Sequence, residues 1–573
     1  MRSPKYFLYL AVGANVSLRV DLTSDLAIDT GYLVTKGYQE FFVLQAPLSI
    51  WAGEILLAKL RRIKLANSEQ FQKLAPRYLQ EILHIKAKVA RFAIDKLKLA
   101  EFELSEISEL LSGRCLLGGE IAELMRLAGV KFGSDLEGYL QYLYLNGVVQ
   151  REAAVGLDGL GSPICHRCGS ITGLTQSACV FCGSNTCVTC TNCQNLGLAK
   201  SCTPLYTRPG RVVLTVTQSV VIEPKLDFNL TPPQQAAAEK LIDFWKSTAR
   251  EFLLWTVCGG GKTEVSFGII AKELSRGGQV LVAIPRKDVV QELLPRFQAA
   301  FPEVSSVALY GGSGGMDRAV CLTIATTHQC LRFYHAFDLI VLDEADAFPY
   351  QGSELLHFAL QRALKSQGRL VIMTATPDPM MLKAVQKDKL PSARIPARYH
   401  RQPLLLPELI KIRLNLTEVP PPLLIQKFLL ELKLTQRKAL IFLPTIKLLE
   451  SVAPGLINWA KAQGLKGALA CSHTADREAL KLALVAGKLD FLVVTTIFER
   501  GITIRNVDVL VLEADQAKIF NTRTLVQIAG RVGRHGEPGR VIFLGKQLSG
   551  EMKTAVKWIR QMNEEGQRLG YLD

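Results

Sequence analysis

The sequence predicts an α/β protein in which two tandem domains of buried parallel strands follow a small cysteine-rich module and a mixed N-terminal region. Three observations predict it. From Phe252 onward, short apolar runs separated by helical stretches come in two series: "FLLWTV", "VLVAIP", "CLTIAT", "LIVLD" and "LVIMT", then "ALIFL", "FLVVT", "DVLVLE" and "RVIFL". Short apolar runs alternating with helices mark parallel strands covered on both faces. The Pro-rich stretches "IPARYHRQPLLLP" and "VPPPLL" separate the series and read as a linker region. Eight of the thirteen cysteines lie between Cys165 and Cys202.

In chain order, residues 1–100 open with the apolar stretches "YFLYLAV" and "EFFVL". Two long helical patterns follow, "PLSIWAGEILLAKLRRIK" and "SEQFQKLAPRYLQEILHIKAKVARFAIDKLKL", and no chemical motif assigns the region a role. Residues 101–160 read as helix, turn, helix, turn, helix and short strand, the order of elements in a winged helix. Basic residues are sparse on its last helix, which leaves partner docking and DNA contact equally open. Residues 161–205 form the cysteine module, and residues 206–400 and 401–573 the two α/β domains. Just past the module, "RVVLTVTQSVVIEP" alternates as a strand, and the prolines of "LTPPQQ" start a helix.

Composition narrows the function. A chain of 573 residues predicts about three to five folding units, and its 48% apolar content excludes extensive disorder. Lys and Arg exceed Asp and Glu to give a net charge of +16, which favours a polyanionic partner, nucleic acid or an acidic membrane surface. No apolar run approaches the roughly eighteen residues of a membrane span, and the N-terminus lacks a cleavage pattern. A cytoplasmic location is expected. Thiols stay reduced there, so clustered cysteines are expected to hold metal rather than form disulfides.

The cysteines fall as Cys165-x2-Cys168, Cys179-x2-Cys182, Cys187-x2-Cys190, then Cys193 and Cys202. The first two pairs, each followed by a glycine (Gly169, Gly183), are expected to form one four-thiolate zinc site, and the other four a second. Two zinc ions, one zinc ion, or an iron–sulfur or redox centre remain the alternatives. The segment has few large apolar residues, so metal has to supply its folding energy. His166 reads as a polar surface residue and Cys258 as a packing residue.

Three motifs carry phosphate chemistry. In "TVCGGGKT", Thr256–Thr263, the amides of Gly259, Gly260 and Gly261 can turn inward around a phosphate at a helix start. Lys262 can then bridge the β- and γ-phosphates and Thr263 hold magnesium. In "FDLIVLDEADAFPY" a buried strand ends at Asp343, suited to magnesium through its water shell, and Glu344, suited to orienting and deprotonating water. In "LVQIAGRVGRHGEPG", Arg531 and Arg534 are expected on one face of a helix, supplied by the second domain to the transition-state charge. Gly530 and Gly533 imply a close backbone approach there.

These motifs, in this order with "MTATP", resemble the superfamily 2 helicases and translocases. That resemblance implies two RecA-like domains over roughly residues 225–573, with ATP and Mg2+ between them. It places Gln234 at adenine, Lys262 and Thr263 in motif I, Asp343 to Asp346 in motif II, and Thr374 and Thr376 in motif III. Thr495, Glu499 and Gly501 fall in motif V, and Gln527, Arg531 and Arg534 in motif VI. The string "TTHQCLRFYHAFDLIVLDEADAFPY", joined to an upstream CxxC-rich cluster, is similar to the ComFA late-competence family. That family resemblance implies an ATP-driven single-stranded-DNA translocase at the inner face of the membrane. Its implied partners are competence proteins such as ComFC and the membrane uptake channel. PriA-like replication-restart helicases also carry paired zinc sites, but between the motor motifs, whereas here the cysteines precede motif I. A zinc-bearing nucleic-acid-binding scaffold with an ATP switch and an RNA helicase are the other readings.

Overall fold

The computed structural model describes residues 4–14, 17–93, 101–130, 136–211, 221–313, 320–474, 476–496 and 504–573. Most of the strand expected in "RVVLTVTQSVVIEP" and the motif V residues Glu499 and Gly501 lie outside the described residues.

The N-terminal unit is an antiparallel sheet in the order Leu18–Thr23, Phe7–Gly13, Tyr38–Leu44 and Val89–Phe92. Alternation sends successive residues of its central strand to opposite faces. Leu8 and Leu10 pack with the helices Ile50–Ile63 and Ser68–Leu83, while Tyr9 and Ala11 pack with Leu33 of the helix Leu26–Val34. The helical pattern expected from residue 68 onward therefore ends early, at Leu83. His84 turns left-handed at φ 56°, and Val89–Phe92 pairs with Tyr38–Leu44 instead of continuing the helix.

The next unit holds the helices Glu101–Leu110, Gly118–Ala128 and Leu136–Leu145. They pack on an antiparallel sheet ordered Arg114–Leu117, Pro204–Arg208, Gln150–Ala153. Its middle strand comes from beyond the cysteines, with Ala153 paired to Pro204. The cysteine module is thus an excursion that leaves and re-enters one sheet at adjacent points.

Both α/β domains are parallel throughout. The first sheet runs Ser306–Leu309, Leu322–Thr326, Val280–Ile284, Phe337–Leu342, Leu364–Thr374, Glu251–Thr256, Ser392–Ile395. The second runs Glu408–Lys411, Val541–Gly545, Val507–Val511, Lys438–Phe442, Phe491–Val494, Gly467–Ala470. Every apolar run read from the sequence is an inner strand. This order sets the C-terminal ends of Glu251–Thr256, Leu364–Thr374 and Phe337–Leu342 side by side, so the glycine loop, "MTATP" and "LDEAD" meet at one edge, where open α/β sheets bind ligands.

Candidate nucleotide site and metal centres

Between the two α/β domains lies a cleft of about 330 Å³ lined by Gly259, Gly260, Gly261, Lys262, Thr263, Asp343, Glu344, Gln527, Arg531 and Arg534. The fold brings together residues nearly three hundred positions apart in sequence. The glycine loop leaves the strand Glu251–Thr256 and enters the helix Lys262–Ser275. Lys262 Nζ forms an ion pair with Asp343 Oδ1. Burial opposes the lysine charge, but the Asp343 and Glu344 carboxylates outweigh it and hold the ammonium above its ordinary range. Burial likewise raises the Asp343 carboxyl, with Lys262 opposing. The two groups neutralise each other at the floor of the cleft. Glu344 sits at φ 53°, a strained conformation for a residue with a side chain, and its amide donates to Asp343 Oδ1 at 2.7 Å.

A relay of hydrogen bonds ties four motifs together. Cys258 Sγ donates to Gln527 Oε1 at 3.2 Å, Gln527 Nε2 donates to Asp346 Oδ2 at 3.0 Å, and Thr376 Oγ1 donates to the same oxygen at 2.5 Å. Burial raises the Cys258 thiol, which keeps it a donor. Cys258 was expected only to pack; it also links the glycine loop to the second domain. Thr376 N bonds Thr374 Oγ1 at 3.1 Å, which closes the "TAT" turn.

Arg531 and Arg534 both reach the cleft, but not from a helix face. The helix Thr522–Ala529 ends before them, and they lie on the turn that follows. Gly533, between the two arginines, takes a left-handed φ of 66° that a helix does not run through. A Cβ on Gly530 would collide with Cys258, its Sγ at 2.8 Å, so the backbone there presses against the glycine loop, as the glycines implied. Burial pulls the Arg534 guanidinium below its ordinary range.

Gln234 is buried beside the loop. Its Nε2 donates to Gly260 O at 3.0 Å, and its Oε1 accepts from Thr231 N at 2.9 Å at the start of the helix Pro232–Lys246. Thr495 lines a separate interdomain cleft.

Arg398 was not singled out in the sequence. It is 2% exposed in the linker and donates to Cys258 O at 2.9 Å, Val532 O at 2.8 Å and Gly530 O at 3.0 Å. Burial and the nearby Arg534 pull its guanidinium down to about 10. Nothing in "IPARYHRQP" distinguishes it from Arg401, which stays exposed.

The eight cysteines form two clusters, each with all four sulfurs within 4.8 Å of one another, but the grouping differs from the expected one. Cys165, Cys168, Cys190 and Cys193 make one; Cys179, Cys182, Cys187 and Cys202 make the other. The reason is the strand Cys187–Cys190, paired with Leu174–Ser177. Residues an odd number apart on a strand point to opposite faces, so Cys187 and Cys190 cannot serve one ion. Cys190 instead pairs with Cys193 as a second knuckle. Thiolates placed tetrahedrally about zinc at roughly 2.3 Å stand about 3.8 Å apart. The sulfur separations of Cys165–Cys193 at 3.9 Å, Cys168–Cys190 at 3.6 Å, Cys179–Cys202 at 3.9 Å and Cys187–Cys202 at 3.7 Å fit. Gly169 and Gly183, at φ 72° and 75°, close the two glycine-bearing knuckles by donating to Cys165 O and Cys179 O, each at 2.8 Å. His166 joins neither cluster; its Nδ1 pairs with Glu152 at 2.9 Å.

Three family models match the chain. The model of the competence protein ComFA N-terminal domain matches residues 100–207, ending within the strand Pro204–Arg208 that closes the cysteine excursion. The type III restriction enzyme res subunit model matches residues 227–379, and the helicase conserved C-terminal domain model residues 423–536. Competence protein ComFA of Bacillus subtilis is 35% identical over 80% of this chain and 95% of its own. Its Streptococcus pneumoniae counterpart is 36% identical over 59% of this chain and 78% of its own. Among solved structures, Mycobacterium smegmatis helicase Lhr bound to ssDNA and AMP-PNP aligns with a TM-score of 0.43 at 16% identity, over 58% of this chain and 48% of that one. Among the described residues no helix is long and apolar enough to cross a membrane. Two helicase domains with ATP-site motifs, preceded by a match to the competence protein ComFA N-terminal domain, make this an ATP-dependent superfamily 2 enzyme, and the chain belongs to the competence protein ComFA family.

Proposed function

We propose that the chain is a single-stranded-DNA translocase that uses ATP and Mg2+ to draw one strand of transforming DNA into the cell, working at the inner face of the membrane. Partners of the ComFC kind and the membrane uptake channel hold it there. The observation that carries the reading is the contact of Gln527, from the second domain, with Asp346, beside the hydrolytic pair of the first. A hydrolytic centre completed across two domains changes when the domains move, which is how a motor couples hydrolysis to stepping.

In this reading Lys262 and the glycine-loop amides bind the phosphates, and Thr263 and Asp343 hold magnesium. Glu344 activates water, Arg531 and Arg534 stabilise transition-state charge, and Gln234 reads adenine. Each cysteine cluster holds one Zn2+, and residues 101–153 with 204–208 act as a winged helix around the module. The surplus of positive charge supports a phosphate-backbone ligand.

Two measurements test it. ATP turnover is compared with no nucleic acid, single-stranded DNA and RNA of equal length. DNA is expected to stimulate most; stronger stimulation by RNA would make it an RNA motor. Cells carrying Glu344→Gln are expected to lose transformation; a normal frequency would overturn the uptake role.

A further inference from the structure

On the far side of motif II a second cleft, of about 610 Å³, opens between the C-terminal edges of the two sheets. Arg286, Lys287 and Phe348 line it from the first domain, and Arg477, Thr495 and Thr496 from the second. Asp288 also lines it, paired with Arg286 at 3.0 Å, and Lys287 lies 4.8 Å from the Tyr310 ring centre.

Phe348 is the anomaly. It is 84% exposed, while Ala347 beside it and Tyr350 two residues on are buried. Leaving a phenyl ring in water forgoes the stabilisation that burial would give it. The segment "AFPY" turns its alanine and tyrosine inward and this ring out, into a cleft edged by cations. Cations along a groove with an aromatic platform inside it is the combination that holds a single strand, the cations on phosphates and the ring on a base. The turn is also tied to hydrolysis, because Ala347 N donates to Glu344 O at 2.8 Å, which leaves Phe348 one turn away from the water-activating carboxylate.

We infer that Phe348 is a base-stacking platform for the single strand in this cleft, and that its occupation biases the turn that carries Glu344. The inference rests on the single-stranded-DNA reading above and adds a residue that senses bases, where the cations sense only phosphates.

The test compares an oligothymidylate with an abasic strand of the same length and charge, binding to wild type, Phe348→Ala and Phe348→Trp. Because the side chain is exposed, both variants are expected to unfold at the wild-type midpoint. Phe348→Ala should bind the oligothymidylate about 5- to 150-fold more weakly, with DNA-stimulated ATP turnover reduced in step, and bind the abasic strand as wild type does. Phe348→Trp should restore both. Equal weakening on the two strands, or none on either, would overturn the stacking role while leaving the translocase reading intact. A wild type that binds neither strand would remove both.

Discussion

The two cysteine clusters use the same ligands and nearly the same sulfur spacing, yet their surroundings make them different objects. Cys165, Cys168, Cys190 and Cys193 share one apolar cluster with Leu331, Phe333, Ala359 and Leu360 of the first α/β domain. The Phe358 ring lies against Gly169, where a Cβ would meet it at 2.9 Å, and Arg362 donates to His166 O at 3.0 Å. Arg167, wholly buried, bonds Glu120 at 2.7 Å, and Glu120 in turn accepts from Arg332 at 2.9 Å. The outer sulfurs, by contrast, cluster only with one another, and Val180 between two of them is 91% exposed. Lys200 lies 3.8 Å from Cys179 Sγ, a positive charge near thiolates that would bear a net negative one around zinc. The inner cluster is therefore a bolt between the three-stranded-sheet unit and the first α/β domain, and the outer cluster a self-contained tip.

Breaking each site separately should expose the contrast. The largest effect is expected for Cys168→Ser with Cys190→Ser. A structural zinc is worth about 10–16 kcal/mol in small modules, as much as a whole domain's stability. Losing the inner site should lower the main unfolding midpoint by more than about 10 °C and take ATP turnover with it. Cys179→Ser with Cys182→Ser should also lose one equivalent of metal, but move that midpoint by less than about 2 °C and leave basal turnover in place. Metal analysis with calorimetry on both variants checks this, and equal destabilisation would erase the distinction. Chelation sharpens it: zinc should leave the native protein in two phases, and the outer-site variant should lack the fast one.

A smaller effect separates motor from module. Arg398→Ala should lower the ATP turnover number several-fold, with both metals and the ATP Michaelis constant little changed, because it unties the domains without touching phosphate. A raised Michaelis constant at unchanged turnover would place Arg398 in nucleotide binding instead.

Burial explains what the sequence could disclose. Inner strands such as Val280–Ile284 and Val507–Val511 are buried at every residue and so appear as continuous apolar runs. The four strands that gave no such run, Ser306–Leu309, Ser392–Ile395, Glu408–Lys411 and Gly467–Ala470, are the edges of the two sheets and are only partly covered. Lys262, Asp343, Glu344 and the two arginines that line the cleft could be picked out because motif chemistry constrains local spacing. The sulfur partition was not, because it depends on which face of a strand Cys187 and Cys190 present. Arg398 was not, because its three acceptors are backbone carbonyls distant in sequence and carry no side-chain signature.

The most direct measurement is steady-state ATP hydrolysis by wild type and Glu344→Gln, with and without single-stranded DNA. A motor driven by its strand should hydrolyse ATP severalfold faster when DNA is added. Glu344→Gln should still bind nucleotide and DNA but turn over at least about 100-fold more slowly under either condition, the lower end of what general acid–base catalysis contributes. Wild-type turnover unchanged by DNA, or Glu344→Gln hydrolysing near the wild-type rate, would contradict a DNA-driven motor with Glu344 at its hydrolytic centre.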